Sequence, residues 1–290
     1  MKELRGALQE RKALGNRYVV VTADHGHTEV MDDDEHALAM DDEEDPPAVL
    51  LKAGFRLRPF RLDVSKKHDF NAVLAYQGAM AYVYVADRTT CEKDEPCDFS
   101  RPPRFKEDVL VAAQAFYDAN KSGKYVKGLK GTLDMVLTRK PKPANEKDEP
   151  FQVYVGDGKL VPVERYLADN PRPTYVDLDA RLRDLAVGKY GERAGDVLLI
   201  ANNGNRDTPK ERYYFSGRYR SWHGSPSRQD SEIPLIVAHP QKSPEQLGSQ
   251  VKKALGADPY QQRLSSVLLS LRFGEKGLER KRLNAEARRE

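Results

Sequence analysis

The sequence predicts an α/β protein with a mostly parallel central sheet flanked by helices, together with an inserted or capping region. Three observations favour this class: a helix-like run followed by a short β-branched run at residues 2–22, further apolar runs within residues 178–255, and a more irregular stretch between them. With 290 residues, of which 39% are hydrophobic and 32% charged, the chain can bury a substantial core.

The first elements are a helix and a strand. Residues 2–14 place leucines at 4, 8 and 14 among charged residues and are followed by Gly15-Asn16, which predicts a helix with a glycine stop. Residues 18–22 (Tyr-Val-Val-Val-Thr) form an unbroken apolar run of the kind found in strands buried on both faces, as in a parallel sheet. Helix, loop and buried strand together make half of a βαβ unit.

Later runs predict the remaining elements. Strands are expected at 48–51, 81–85, 133–138, 195–201 and 233–238, and a hairpin at 151–155 and 159–163 turning at Gly156-Asp157-Gly158. Helices are expected at 105–120, with Val109, Ala112, Ala113 and Phe116 on one face, and at 178–187. These elements divide the chain into residues 1–47 (first core elements and an acidic loop), 48–177 (further strands and the inserted region), 178–258 (core strands) and 259–290 (a helical, basic tail).

Composition and charge exclude some classes of function. The 48 Lys and Arg against 45 Asp and Glu give a net charge of +3, too small to indicate a nucleic-acid partner. No stretch approaches the roughly 18 apolar residues of a membrane span, and the charged first residues do not resemble an export signal. The acidic residues of 32–45 and the basic residues of 275–290 are expected to be solvated segments.

The two cysteines lie in the short segment Cys91-Glu-Lys-Asp-Glu-Pro-Cys97. Their spacing permits a disulfide-closed loop in an oxidising compartment, and two free surface thiols are the alternative. A zinc site at this loop would need more ligands than the loop supplies.

Two loop segments carry potential metal ligands. Asp24 and His25 directly follow the predicted strand at 18–22, and Gly26 permits a sharp turn beneath them. An oxygen and a nitrogen donor suit zinc. The alternative is that Asp24 caps the next segment and His25 is an exposed loop residue. His223 lies in a second glycine-containing turn before the predicted strand at 233–238, and it too can be read as a surface histidine.

Taken together, four segments resemble the type I phosphodiesterase and nucleotide pyrophosphatase branch of the alkaline phosphatase superfamily. They are Thr22-Ala23-Asp24-His25-Gly26, the strand Gly195–Ala201 that begins Gly-Asp, His223-Gly224-Ser225-Pro226, and Ile233-Pro234-Leu235-Ile236. The resemblance implies part of an alkaline-phosphatase-like sandwich and a metal-dependent phosphoester hydrolase, acting on phosphodiester or phosphomonoester small molecules.

The resemblance also implies roles for individual residues. Asp24 and His25 would hold one divalent ion, most simply zinc, and His223 would help to hold a second ion that polarises a phosphoryl oxygen. The family's Ser or Thr nucleophile and its other ligands precede the Asp-His-Gly segment, and residues 1–23 contain no His, Asp or Ser. The nucleophile is therefore expected upstream of Met1, and no catalytic residue is assigned.

The incomplete ligand set leaves several hypotheses open. The first is an enzyme represented here by its C-terminal part; the second is an inactive remnant, or a fragment that binds a partner through an exposed sheet edge. We expect the chain by itself to be inactive. A phosphate-transferring mutase of the same superfamily fits the His-Gly-Ser-Pro segment less well. Members of the family that the four segments resemble are usually periplasmic or extracellular. The two cysteines agree with such an oxidising compartment, and the sequence gives no other indication of localisation.

The other histidines and the basic residues have weaker assignments. His27 is expected to be a hydrogen-bonding loop residue, His36 and His68 to be exposed, and His239 to be structural. Five basic residues precede His223 and either steer an anionic substrate or form a solvated loop: Arg206, Lys210, Arg212, Arg218 and Arg220.

Overall fold

The computed structural model describes two compact units. The described residues are 2–12, 15–39, 44–61, 63, 69–91, 97–140, 149–186, 194–257, 259–274 and 276. The first unit combines both ends of the chain, Met1–Asp24 and Ile233–Glu290, and the second is the continuous segment His25–Glu232. The residues outside the described part include His68, residues 13–14, most of the charged loop at 139–150, residue 275 and residues 277–290 of the basic tail.

The described helices are α1 (Lys2–Glu10), α2 (Pro46–Lys52), α3 (Leu110–Ser122), α4 (Val163–Asp169), α5 (Leu178–Ala186), α6 (Arg228–Ser231), α7 (Pro244–Leu255) and α8 (Leu264–Phe273). A π-helical turn, Phe105–Val109, leads into α3. The described strands are β1 (Val19–Thr22), β2 (Thr28–Glu29), β3 (Ala72–Gln77), β4 (Met80–Val85), β5 (Leu133–Arg139), β6 (Phe151–Tyr154), β7 (Leu160–Pro162), β8 (Val197–Ala201), β9 (Ser221–Trp222) and β10 (Leu235–Ala238). Every described helix is too short or too polar to cross a membrane.

The second unit is built on a six-stranded sheet in the order β3-β4-β8-β5-β6-β7, and all of its strand pairs are antiparallel. The predicted mostly parallel sheet is therefore wrong. The sequence of β8, Val-Leu-Leu-Ile-Ala, is buried throughout because both faces of the sheet are covered. Val197, Leu199 and Ala201 join one core cluster, and Leu198 and Ile200 join the other. An unbroken apolar run indicates burial on both faces, and it does not fix strand direction.

Most other predicted elements of this unit are confirmed. The helix expected at 105–120 is the π-helical turn followed by α3, and Val109, Ala112, Ala113 and Phe116 are all buried in one cluster. The expected strands at 81–85 and 133–138 are β4 and β5, the hairpin is β6–β7, and the helix at 178–187 is α5. The strand β3 was not predicted.

The strand predicted at residues 48–51 is wrong, because this segment is the helix α2. Pro46 and Pro47 occupy the first helical turn, where the missing N–H groups of proline cost nothing. Ala48, Val49 and Leu50 are buried in the cluster that also contains α3. A four-residue apolar run fits either a buried strand or a buried helix, and here the preceding prolines favour the helix.

The first unit contains the antiparallel pair β1–β10 and the helices α7 and α8. Tyr18, Val20, Leu235 and Val237 pack against these helices. On the other face, Ile236 is 58% exposed. The prediction that β1 is a parallel strand buried on both faces is therefore wrong, since its residues are half-buried or exposed.

Cys91 and Cys97 are joined by a disulfide, and Cys97 is buried. The disulfide-closed loop is thus the alternative that the structure supports over two free thiols.

Candidate functional site

Two short strands of the second unit bring the histidine segments to one place. β2 pairs antiparallel with β9, with Thr28 opposite Trp222. In an antiparallel pair the start of one strand lies beside the end of the other. His25 and His27, just before β2, therefore emerge at the same end as His223, just after β9.

The three imidazole rings form a compact group, called here the histidine cluster (His25, His27 and His223). The rings of His25 and His223 are stacked, with centroids 3.7 Å apart and planes inclined by 15°. The ring of His27 lies 5.1 Å from that of His25 and 5.5 Å from that of His223. His25 and His223 are partly buried, whereas His27 is exposed.

Asp24 is the last residue of the first unit, where it lies exposed just after β1. Within the second unit, the rings of the predicted ligands His25 and His223 lie in contact. The ring of His27, which was not a predicted ligand, lies beside both.

The turn between β3 and β4 fixes the backbone of His223. The amide N of Ala79 donates to the carbonyl O of His223 at 2.9 Å. Gly78 and Gly224 both have positive φ, +72° and +99°, and a Cβ on Gly78 would lie 1.9 Å from the carbonyl O of His223. A Cβ on Gly224 would lie 2.1 Å from the carbonyl O of Gln77. Glycine is thus required on both sides of this contact.

A buried carboxylate, Asp230, connects the two histidine segments. Its Oδ1 accepts from the hydroxyl of Thr28 at 2.7 Å. Its Oδ2 accepts from the amide N of Ser225 at 2.8 Å and from the hydroxyl of Ser225 at 2.6 Å. Its carbonyl O accepts from the amide N of Gly26 at 3.0 Å. Sequence reasoning missed Asp230, because only the folded chain brings Thr28 close to Ser225.

An aromatic layer supports the cluster from the β9 side. Trp222 packs against the buried residues Val30, Ala37 and Tyr214, and its ring stacks on that of Tyr219 with centroids 4.4 Å apart. The hydroxyl of Tyr214 accepts from the amide N of Tyr219 at 2.9 Å and lies 2.9 Å from the carbonyl O of Met31, to which it can donate. Burial raises the pKa of Tyr214, so this phenol stays neutral near pH 7.

The side chains of the cluster suit zinc in donor type but do not complete a coordination sphere. Nδ1 of His25 lies 2.8 Å from the carbonyl O of Gly26, which can only accept, so Nδ1 carries the proton of this hydrogen bond. Histidines that bind metals commonly donate their other N–H to a backbone carbonyl in this way. Within the described part of the chain, however, no group of three or more His, Cys, Asp or Glu side chains is arranged to hold a metal ion.

The basic residues near the site have mostly structural contacts. Arg212 is buried and donates to the backbone carbonyls of Glu29, Arg206 and Asp207, so it ties β2 to the loop after β8. Arg218 and Arg220 lie 3.5 Å and 3.6 Å from the acidic residues Asp34 and Asp32. Arg206 donates to the side chain of Asn202, and the carbonyl O of Lys210 lies 3.0 Å from His36 Nε2. Steering of an anion by these residues stays a prediction.

The remaining described histidines lie apart from the cluster. His36 was expected to be exposed, and this is wrong: it is 6% exposed, with Nδ1 2.6 Å from Oδ1 of Asp33. The ring of His239 contacts that of Tyr18 at a tilt of 46°, with centroids 4.5 Å apart, and hydrogen-bonds Asn16, as expected for a structural residue.

Comparisons of the chain with protein-family models, with curated protein sequences and with solved structures find no match. The resemblance to the alkaline phosphatase superfamily accordingly depends on the four segments of the sequence.

Proposed function

We propose that this chain carries part of the active site of a metal-dependent phosphoester hydrolase of the alkaline phosphatase superfamily, in its phosphodiesterase and nucleotide pyrophosphatase branch. The observation that carries the proposal is the 3.7 Å stack of His25 on His223. These two histidines come from the segments with the strongest resemblance to the family, and the fold of the second unit places them together.

The stacked geometry favours a pair of ions over a single ion. The in-plane lone pairs of two nearly parallel, stacked rings lie in two separate planes, so they do not converge on one point. A phosphoester-cleaving site with two ions about 3.5–4 Å apart accommodates one imidazole ligand on each ion. We therefore propose that His25 contributes to one zinc site and His223 to the other. Bound zinc would supply Lewis-acid stabilisation of phosphoryl charge.

Zinc titration and hydrolysis assays test this function. The protein is titrated with Zn²⁺ by calorimetry and assayed with p-nitrophenyl phosphate and bis(p-nitrophenyl) phosphate. His223→Ala and His25→Ala are expected to weaken zinc binding at least tenfold, whereas His239→Ala, a histidine of the other unit, should not. Zinc-dependent hydrolysis lost in His223→Ala would show an active enzyme. Zinc affinity that is unchanged in both cluster variants would refute the proposed site.

A second candidate function, binding of a partner polypeptide, is favoured by the sheet of the first unit. In the described residues β1 and β10 pair only with each other, and Ile236 is 58% exposed on the face that α7 and α8 do not cover. Two paired strands are marginally stable, and an unpaired edge accepts a further strand. We propose that the occupant is an extended segment of a second polypeptide that pairs with this edge and packs an apolar side chain against the open face at Ile236.

The second candidate predicts association that depends on the open face. Ile236→Asp should abolish co-purification of the partner segment without unfolding the first unit, because Ile236 is exposed. The matched variant Val237→Asp should unfold this unit, because Val237 packs against its helices. Binding that persists in Ile236→Asp would count against this surface.

A further inference from the structure

Asp230 makes contact with both segments of the histidine cluster through separate atoms. Oδ1 faces β2 through the Thr28 hydroxyl, and Oδ2 faces the His223-Gly224-Ser225 turn through two donors of Ser225. Its main chain contributes as well, since the amide of Gly26 donates to its carbonyl O. One residue thus holds the backbone on both sides of the stacked imidazoles.

The chemistry of these contacts requires a carboxylate. Three donors converge on two oxygens, and a side-chain amide would turn one NH₂ group towards donors. Asp230 is only 6% exposed, and burial of a charged group is costly unless hydrogen bonds compensate for it. The three donors to the Asp230 carboxylate, two hydroxyls and one backbone amide, are neutral, and all belong to the two histidine segments. The cost is therefore offset only when these segments lie together.

The backbone around Asp230 packs closely against both neighbouring segments. A Cβ on Gly26 would lie 1.9 Å from the carbonyl O of Gln229, the neighbour of Asp230. Ser225 and Ser227 hydrogen-bond through their hydroxyls at 2.7 Å, and a Cβ on Gly204 would lie 2.1 Å from Oγ of Ser227. The loop after β8 therefore packs directly against the hydroxyl of Ser227, which belongs to the same hydrogen-bond network as Asp230.

We propose that Asp230 is a positioning residue that holds His25 and His223 in register for binding two divalent ions. Its role in ion binding rests on the proposed function, whereas its role in stacking the rings does not. Removal of such an outer residue commonly weakens metal binding 10- to 100-fold, because the ligands lose their fixed orientation.

The experiment compares the full chain with three variants. Asp230→Asn removes the carboxylate with little change of shape, and Thr28→Val removes one donor and keeps side-chain volume. Asp108→Asn is the matched control, because Asp108 is a buried carboxylate of the same unit that bonds Arg88 and Arg104 instead of the histidine segments. Each protein is titrated with Zn²⁺, and the imidazole Hε1 and Hδ2 signals are followed by NMR without metal.

The expected result is at least a tenfold loss of zinc affinity in Asp230→Asn and a smaller loss in Thr28→Val, with Asp108→Asn within twofold of the parent. The cross-ring contacts between His25 and His223 should disappear in Asp230→Asn and persist in Asp108→Asn. If the parent binds zinc and both Asp230→Asn and Thr28→Val bind it equally well with intact ring contacts, the proposal is overturned. If the parent does not bind zinc, the hydrolase function fails, and the ring contacts alone decide the role of Asp230. If Asp230→Asn does not fold, Thr28→Val is the deciding variant: unchanged zinc affinity together with intact contacts between the rings of His25 and His223 would overturn the proposal.

Discussion

Asp108 shows how a single buried charge organises an element of the second unit. Its carboxylate is fully buried in the π-helical turn that leads into α3, and it accepts from Arg88 at 2.7 Å and from Arg104 at 2.9 Å and 3.0 Å. Burial by itself raises the pKa of Asp108, but the hydrogen bonds from Arg104 and Arg88 outweigh it, and the net pKa lies below the ordinary value. The carboxylate is therefore charged in the folded protein at neutral pH.

Replacing Asp108 by Asn should destabilise the protein by about 2–3 kcal/mol at pH 7, because two partly exposed guanidinium groups lose their charged acceptor. A carboxyl whose pKa is lowered on folding stabilises the fold above its unfolded pKa, near 3.9, and this contribution is lost as the pH falls through the folded value. The difference between parent and Asp108→Asn in urea unfolding should therefore shrink below about pH 4.

The control for Asp108 is Asp118→Asn, which breaks a more exposed ion pair between Asp118 on α3 and Lys124 just beyond the end of that helix. Its cost should stay within about 1 kcal/mol. An equal loss of stability in the two variants, or a difference for Asp108→Asn that is independent of pH, would show that Asp108 has no special role.

His36 illustrates what local sequence does not reveal about a residue. Its neighbours Asp33, Asp34 and Glu35 predicted exposure, yet its ring is buried between Asp33 and the carbonyl O of Lys210. The burial comes from a parallel bridge between Ala37 and Tyr214, far apart in the chain. Charge patterning reports on local composition, and a contact between distant segments is invisible to it.

The elements differ in how far their sequences predicted them. The burial of β8 was predictable, because its five apolar residues suit a strand covered on both faces, but its antiparallel neighbours were not. β2 and β9 have two residues each, too few for any periodicity, and they bring the histidine segments together. The motifs therefore selected His25 and His223 as candidates, whereas the strand pairing that brings the two together and the Asp230 contacts needed the fold.

The β3–β4 turn yields a prediction about how an element positions the cluster. Gly78 and Gly54 both have positive φ, +72° and +87°, so alanine at either position strains the backbone by about 1–2 kcal/mol. At Gly54 no atom lies within 4 Å of the added Cβ, whereas at Gly78 it meets the carbonyl O of His223 at 1.9 Å. Gly78→Ala should thus cost about 1–3 kcal/mol more than Gly54→Ala, by the penalty for overpacking.

Urea unfolding and histidine NMR measure this pair of glycine variants. We expect altered imidazole signals of His223 in Gly78→Ala and signals like those of the parent in Gly54→Ala. Equal stabilities and equal spectra would mean that the turn does not hold the His223 backbone.

Each of the two units has its own hydrophobic core clusters. The clusters around β8 and the small cluster beneath Trp222 contain only residues of the second unit. The cluster formed by β1, β10, α7 and α8 contains only residues of the first. The second unit is one continuous stretch of chain, whereas the first requires both ends of the chain.

Residues 25–232 should therefore fold without the rest of the chain. Their six-stranded sheet is covered on both faces, and the histidine cluster and Asp230 network lie wholly within this segment. Because no core side chain of these clusters comes from the first unit, removing that unit leaves their apolar burial intact. Expression of residues 25–232 should give dispersed amide NMR signals, a cooperative unfolding transition and the contact between the rings of His25 and His223. A non-cooperative transition with collapsed signals would show that the second unit depends on the first for its folding.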